Sequence, residues 1–178
     1  MFSQYWVAGV PGSTITAAQS VVLQGLSNVT ATAAEINAAA DGSAGYVVTS
    51  TATASETISS SNSGKIHLLG SIASTQAILL PTEAAGLNYQ FIYVGAAEEA
   101  SNVTIGTEAA ANFFVGGLCH EDIDGDVINT VYSDGDSNSL ITLVTPGAGT
   151  VVNVLCNGTS WYLWGKVVSA TVCTIADT

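Results

Sequence analysis

The sequence contains no arginine and only two lysines, Lys65 and Lys166, against 14 aspartate and glutamate residues. Its formal net charge is −12 at pH 7. Because nucleic-acid phosphates and anionic lipids are held by basic side chains, this balance argues against binding to nucleic acid or to a membrane surface. It also excludes arginine clamps on phosphate or carboxylate groups. We therefore expect a partner to be bound through shape, apolar contact and backbone hydrogen bonds, or through a basic surface of its own.

Charged residues of either sign are scarce, at 9% of the chain, where roughly 25% is usual for soluble domains. Hydrophobic residues nevertheless reach 48%, enough for a substantial core. No run of about 18 apolar residues is present, so we expect no membrane-spanning helix. The first residues contain no basic segment and no long apolar stretch, and this argues against a signal peptide.

Cysteine is also rare. Cys119, Cys156 and Cys173 are odd in number and far apart in sequence. This pattern predicts free thiols, buried or half-buried, in a protein made in a reducing cytoplasm. A disulfide between subunits is the alternative.

The composition divides the chain into an extended N-terminal arm or connector, residues 1–44, and a β-rich domain, residues 45–178. Within the arm, Thr32 and Glu35 have the capping-box spacing, and Asp41-Gly42 is a typical stop signal, so a short helix is expected between them. Its apolar spacing is poor, so this helix would be marginal alone. The arm is expected to be stable mainly when docked on something else.

Ten short runs rich in Val, Ile, Tyr and Thr follow, separated by turn residues. They predict an all-β fold, an antiparallel sandwich or barrel of short strands. The runs are GYVVTS, ETISS, KIHLL, QAILLP, LNYQFIYVG, NVTIG, DVINTVYS, SLITLVT, TVVNVLC and SWYLWGKVV.

The clearest element is a hairpin in which strands 151–156 and 159–165 flank Asn157-Gly158, the dipeptide preferred in type I′ turns. Alternation gives both faces of this hairpin an apolar character. It is therefore expected to be covered on both sides at least in part, for example by a neighbouring subunit.

Three segments resemble recurrent elements of tailed-phage virion proteins, and they occur in the usual order. VTATAAEINAAADG, residues 29–42, resembles a connector found in tail fibres and in head fibre or decoration proteins. AILLPTEAAGLNYQFIYVG is similar to a strand–bend–strand element of such proteins, and VVNVLCNGTSWYLWG to their closing hairpin. Together the three segments cover roughly 50 residues.

The long repeats and coiled coils of fibres are missing, so the chain looks most like a capsid decoration, or cement, protein. The resemblance implies a homotrimer on the outer surface of the phage head, made in the host bacterial cytoplasm. There it would bind the major capsid protein and stabilise contacts between capsid subunits. The candidate anchor is aromatic, because Trp and Tyr dominate interface hot spots: Phe2, Tyr5, Trp6 and Val7. Packing of these residues within the chain as an edge strand is the alternative.

A different class of function is a receptor- or glycan-binding module of a tail fibre or spike. β-Sandwiches can bind sugars on exposed aromatic side chains. Packing in the core or at a subunit interface is the preferred interpretation of these aromatics: Tyr89, Tyr93, Trp161, Tyr162 and Trp164.

Two acidic turns, EDIDGD and DGDSN, contain carboxylates at alternate positions. Asp122, Asp124 and Asp126 are a candidate calcium site, although Gly125 comes too early for the EF-hand loop and the closing Glu is missing. Solvated turns are the alternative. No cofactor is otherwise expected.

Enzymatic activity is not expected. Cys119-His120 lacks the paired spacing of a zinc site, and neighbouring strand residues point to opposite faces, so the pair cannot act as a nucleophile and base. Four glutamates in small-residue loops could in principle form a glycosidase pair, but no aromatic groove is evident near them: Glu83, Glu98, Glu99 and Glu108.

Overall fold

A computed structural model describes residues 47–50, 55–108 and 113–177, with only the backbone course given for 47–50. These residues belong to one compact unit, Gly42–Thr178. The predicted arm, its short helix and its four candidate anchor residues lie outside the described residues.

The described chain consists of β-strands joined by turns, with one short 3-10 turn, Ser60–Asn62. In chain order the strands are β1 (Val47–Ser50), β2 (Ser55–Thr57), β3 (Ile66–Leu69), β4 (Gln76–Leu79), β5 (Asn88–Tyr93), β6 (Val103–Gly106), β7 (Phe114–Asp122), β8 (Ile128–Tyr132), β9 (Leu140–Leu143), β10 (Val151–Cys156), β11 (Trp161–Ser169) and β12 (Thr174–Ala176). In this part of the chain no helix is long and apolar enough to cross a membrane.

The strands form two sheets, of seven strands in the order β1-β3-β5-β10-β11-β7-β8 and of five in the order β12-β9-β6-β4-β2. The all-β sandwich expected from the sequence is confirmed at this level, but a purely antiparallel arrangement is wrong. Strands β1, β3 and β5 run parallel, as do β11 with β7 and β2 with β4 and β6. Strand patterns in a sequence show which residues are extended, but they do not show the direction of the neighbouring strand.

Inward-facing side chains of both sheets share one hydrophobic core. Trp161, Phe114 and Leu118 from the seven-stranded sheet are fully buried, as are Ile105 and Ile141 from the five-stranded sheet. The core is formed by alternate residues of each strand. In β10, for example, Val152, Val154 and Cys156 are buried, whereas the residues between them are not. The three cysteines are free thiols, with Cys119 half-buried and the other two buried.

All ten predicted strand segments are present, but two strands were missed. The nine-residue β7 lies between β11 and β8, and the short β12 pairs with β9. The Gly116-Gly117 pair and the acidic end of β7 obscured its pattern. Phe114, Leu118 and His120, all buried, are the inward-facing positions that could have revealed it.

The predicted hairpin is confirmed, but its turn is not the two-residue type I′ turn. Cys156 pairs with Trp161, so four residues form the connection. The Asn157 side-chain oxygen accepts hydrogen bonds from the backbone N–H groups of Thr159 and Ser160 at 3.0 and 2.9 Å. This side-chain capping closes a longer loop in place of the tight turn.

Candidate interaction surface

We define the outer face as the side of the seven-stranded sheet that points away from the core. Strand register places its residues in rows that run across the sheet. One row contains Ile66, Gln90, Asn153 and Trp164, on β3, β5, β10 and β11. Because facing residues on adjacent strands lie about 4.5–5.5 Å apart, the side chains of a row are direct neighbours.

Every exposed aromatic side chain among the described residues lies on this outer face. Tyr162 and Trp164 are 44% and 50% exposed on β11, and Tyr132 is 71% exposed on β8. Leu155 and Ile128 add exposed aliphatic surface to the same face. Isolated surface hydrophobics are normal, but a cluster of this kind is typical of an interaction site.

The other three predicted aromatics lie in the core. Tyr89, Tyr93 and Trp161 are at most 2% exposed, and the rings of Tyr89 and Trp161 are 6.0 Å apart. The Trp161 indole N–H donates to Glu83 at 3.1 Å. Burial raises the pKa of Tyr89 and of Tyr93. The structure therefore separates a buried set from Tyr162 and Trp164, which the sequence pattern had grouped together.

The outer face has little net charge, unlike the rest of this acidic chain. Lys166 donates to Glu121 at 2.9 Å, and both side chains are roughly half exposed. An exposed pair of this kind contributes at most about 1 kcal/mol to stability. Its effect here is to neutralise two charges on a sheet face whose other described strand residues are uncharged.

The first acidic turn carries Asp122, Asp124 and Asp126, the residues considered from the sequence as a calcium site. Among the described residues, no group of three or more His, Cys, Asp or Glu side chains is placed to hold a metal ion. Asp122 Oδ1 instead accepts the backbone N–H groups of Asp124 and Gly125, each at 3.0 Å. The carboxylate closes the turn locally, the role that Asp commonly has in turns.

The second acidic turn has the same construction. Asp134 Oδ1 accepts the backbone N–H groups of Asp136 and Ser137 at 3.1 Å, and Oδ2 accepts the Ser137 hydroxyl at 2.7 Å. These hydrogen bonds, the hydroxyl first, lower the pKa of Asp134 to about 2. Asp177, near the end of the chain, binds Ser137 and Asn138 at 2.8 and 2.9 Å, so the turn is tied to the C-terminal segment.

Other carboxylates and His120 also have structural partners. Glu99 accepts hydrogen bonds from the Tyr93 hydroxyl and from the backbone N–H of Ile72, and these bonds lower its pKa. Glu108 bonds to Thr82. His120 is buried with Nε2 3.0 Å from the Ser169 carbonyl oxygen, whereas its neighbour Cys119 lies on the outer face.

Comparison of the chain with protein-family models gives no match, and comparison with curated proteins gives none. The geometry of the described residues and the sequence resemblance are therefore the basis for a functional proposal.

The sequence had not identified β8 as part of this surface. Tyr132 lies opposite Gly117 on β7, and a Cβ atom on Gly117 would come within 2.9 Å of the Tyr132 ring. Glycine thus lets the tyrosine ring lie close over the sheet. The signal in the sequence was the pair of apolar residues, Ile128 and Tyr132, four positions apart in a strand and therefore on one face.

Proposed function

We propose that the protein is a non-enzymatic structural component of a phage virion, a decoration protein on the outer surface of the capsid. It binds the major capsid protein and stabilises contacts between capsid subunits. It acts as a homotrimer, so that several linked contacts strengthen one another. The virion assignment is supported by the resemblance of three segments to phage virion proteins, in their usual order.

The structural observation that supports the proposal best is the clustering of exposed aromatics on the outer face. Tyr132, Tyr162 and Ile128 offer apolar area with one neutralised ion pair beside it. Aromatic residues are enriched in protein–protein interfaces, and charged residues are depleted from interface centres. A face of this composition suits contact with another protein surface.

The experiment is to add the purified protein to phage heads that lack it. We expect stoichiometric binding, measured as copies per head, and a higher temperature of head disruption. Attachment to host cells with no binding to heads would contradict the proposal. That outcome would favour the receptor- or glycan-binding module of a fibre or spike.

Variants of the outer face make the test specific. Tyr132→Ser combined with Ile128→Ser removes two side chains that are more than 70% exposed, so the fold should be retained. We expect weaker binding to heads. Leu79→Ser is the control variant, because Leu79 is a hydrophobic residue that is 37% exposed on the other, five-stranded sheet. This variant should bind heads as the unmodified protein does.

A further inference from the structure

A groove of about 250 Å³ lies on the outer face, away from β8. Trp164 forms one wall, and the segment Gly64-Lys65-Ile66 forms the opposite wall. Side chains of Asn88, Gln90 and Asn153 line the space between. The groove is somewhat smaller than the roughly 300–1,000 Å³ of drug-sized ligand sites, so it suits one compact ligand.

The amides in the groove are held in fixed orientations. Gln90 Nε2 donates to Asn153 Oδ1 at 2.8 Å, and Asn153 Nδ2 donates to the Trp164 carbonyl oxygen at 3.4 Å. Asn88 Nδ2 donates to the Gly86 carbonyl oxygen at 3.0 Å. Three polar atoms make no hydrogen bond to the described residues and are therefore open to a ligand: Gln90 Oε1, Asn88 Oδ1 and Trp164 Nε1.

The walls of the groove differ in character. Trp164 is half exposed and presents an indole ring, an apolar body with one N–H donor. The opposite wall includes Gly64, which has no side chain, and nothing lies within 4 Å of where its Cβ would be. A planar aromatic surface beside fixed amide groups offers apolar contact and oriented hydrogen bonds within one small site.

The lining also restricts the charge of a ligand. None of the residues that line the groove is acidic, although the chain carries a net charge of −12. Lys65 Nζ donates to Asn62 Oδ1 at 3.1 Å and supplies the one positive charge of the lining. A neutral or acidic ligand is compatible with this environment, and a cationic one has no carboxylate there to bind.

We propose that this groove binds a single pyranose unit of a saccharide, neutral or acidic. The C–H face of the sugar packs on the Trp164 ring. Sugar hydroxyls donate to Gln90 Oε1 and Asn88 Oδ1. The groove shares the outer face and Trp164 with the surface proposed to contact the capsid, but neither Tyr132 nor Ile128 lines it, so saccharide binding by the isolated protein is tested separately from binding to heads.

Ligand-observed saturation-transfer NMR tests the proposal with four probes: D-glucose, D-galactose, N-acetyl-D-glucosamine and D-glucuronate. We expect transfer to at least one of them, with a Kd on the order of 1 mM for a ligand of about a dozen heavy atoms. Absence of transfer to all four, at concentrations well above that value, would overturn the proposal.

Two variants on the same strand assign the site. Trp164→Ala should weaken binding about tenfold or more. Tyr162→Ala is the matched control, because Tyr162 is similarly exposed on β11 but pairs with Leu155 outside the groove. It should bind as the unmodified protein does. Equal affinity of Trp164→Ala and the unmodified protein would place any binding elsewhere and refute the assignment, with melting temperatures showing that both variants fold.

Discussion

His67 is an unusual residue of the core, because it is fully buried and neither ring nitrogen has a hydrogen-bond partner in the described structure. Its ring lies 5.8 Å from that of Tyr89 and 5.2 Å from that of Phe91. Desolvation lowers the pKa of His67; the charge of Glu56 opposes this shift, and that of Lys65 adds to it. The folded protein therefore favours the neutral imidazole.

The lowered pKa predicts loss of stability in acid. Below the ordinary histidine pKa of 6.5 the unfolded chain binds a proton that the folded chain resists, so the free energy of unfolding falls as pH decreases. One such group changes the free energy of unfolding by at most about 1.4 kcal/mol per pH unit. Urea unfolding at pH 7.5 and at pH 5.5 measures this change.

His67→Phe should remove this part of the pH dependence while keeping an aromatic side chain in the core. His120 remains in the variant, so the difference between the two proteins isolates His67. Identical pH dependence in both proteins would show that His67 is not the responsible group.

Gly116 occupies a position in β7 that requires glycine. It has φ +118°, and a Cβ atom there would collide with the carbonyl oxygen of Leu163 on β11. Gly116→Ala should therefore lower the free energy of unfolding by about 3 kcal/mol or more, through backbone strain and steric overlap.

Gly135→Ala is the matched control for that substitution. Gly135 also has a positive φ, +83°, but its Cβ would have open space around it. Only the backbone cost of about 1–2 kcal/mol is expected. Similar losses in the two variants, measured by urea unfolding, would argue against the collision at Leu163.

At the scale of elements, the turn of residues 134–138 is organised by one carboxylate. Asp134→Ala removes the acceptor for three backbone N–H groups and the Ser137 hydroxyl, and should lower the melting temperature at neutral pH. Asp136→Ala should change it little, because the Asp136 side chain is exposed and accepts no hydrogen bond from the described residues.

The pH dependence of this effect has a defined sign. The pKa of Asp134 is about 2 in the fold against an ordinary 3.8, so its contribution is complete above pH 3.8 and is lost as pH falls through 2. The difference in melting temperature between the unmodified protein and Asp134→Ala should therefore shrink on acidification from pH 5 to pH 2. A constant difference would contradict the role of the ionised carboxylate.

Strand β7 shows why element-scale prediction was incomplete. It lies beside β11 with parallel register, pairing Trp161 with Phe114 and Lys166 with Cys119. Its glycines reduce strand propensity locally, and packing against neighbouring strands overrides that propensity. In the sheet, β7 separates β11 from β8, and it runs parallel to β11 and antiparallel to β8.

For the whole molecule, the proposed capsid role makes a prediction about the N-terminal residues. Deleting residues 1–12 should leave the β-sandwich folded, because the core described here is built from residues 58–173. The same deletion should abolish binding to phage heads, because the candidate anchor is removed. Circular dichroism and copies per head are the two measurements, and normal head binding by the folded, truncated protein would refute the anchor.

The sequence by itself determined that this is a β protein in which one set of apolar strand residues is buried. It could do so because alternation along a strand and the residues of a turn depend only on nearby positions in the chain. It located ten strands, the 151–165 hairpin and Trp164 as a candidate packing or interface residue. It could not decide strand direction, the position of β7, or which aromatics are exposed. Those properties depend on which strand lies next to which, and on whether a second layer covers a given face. The groove beside Trp164 exists only because β3, β5, β10 and β11, distant in sequence, are neighbours in the sheet.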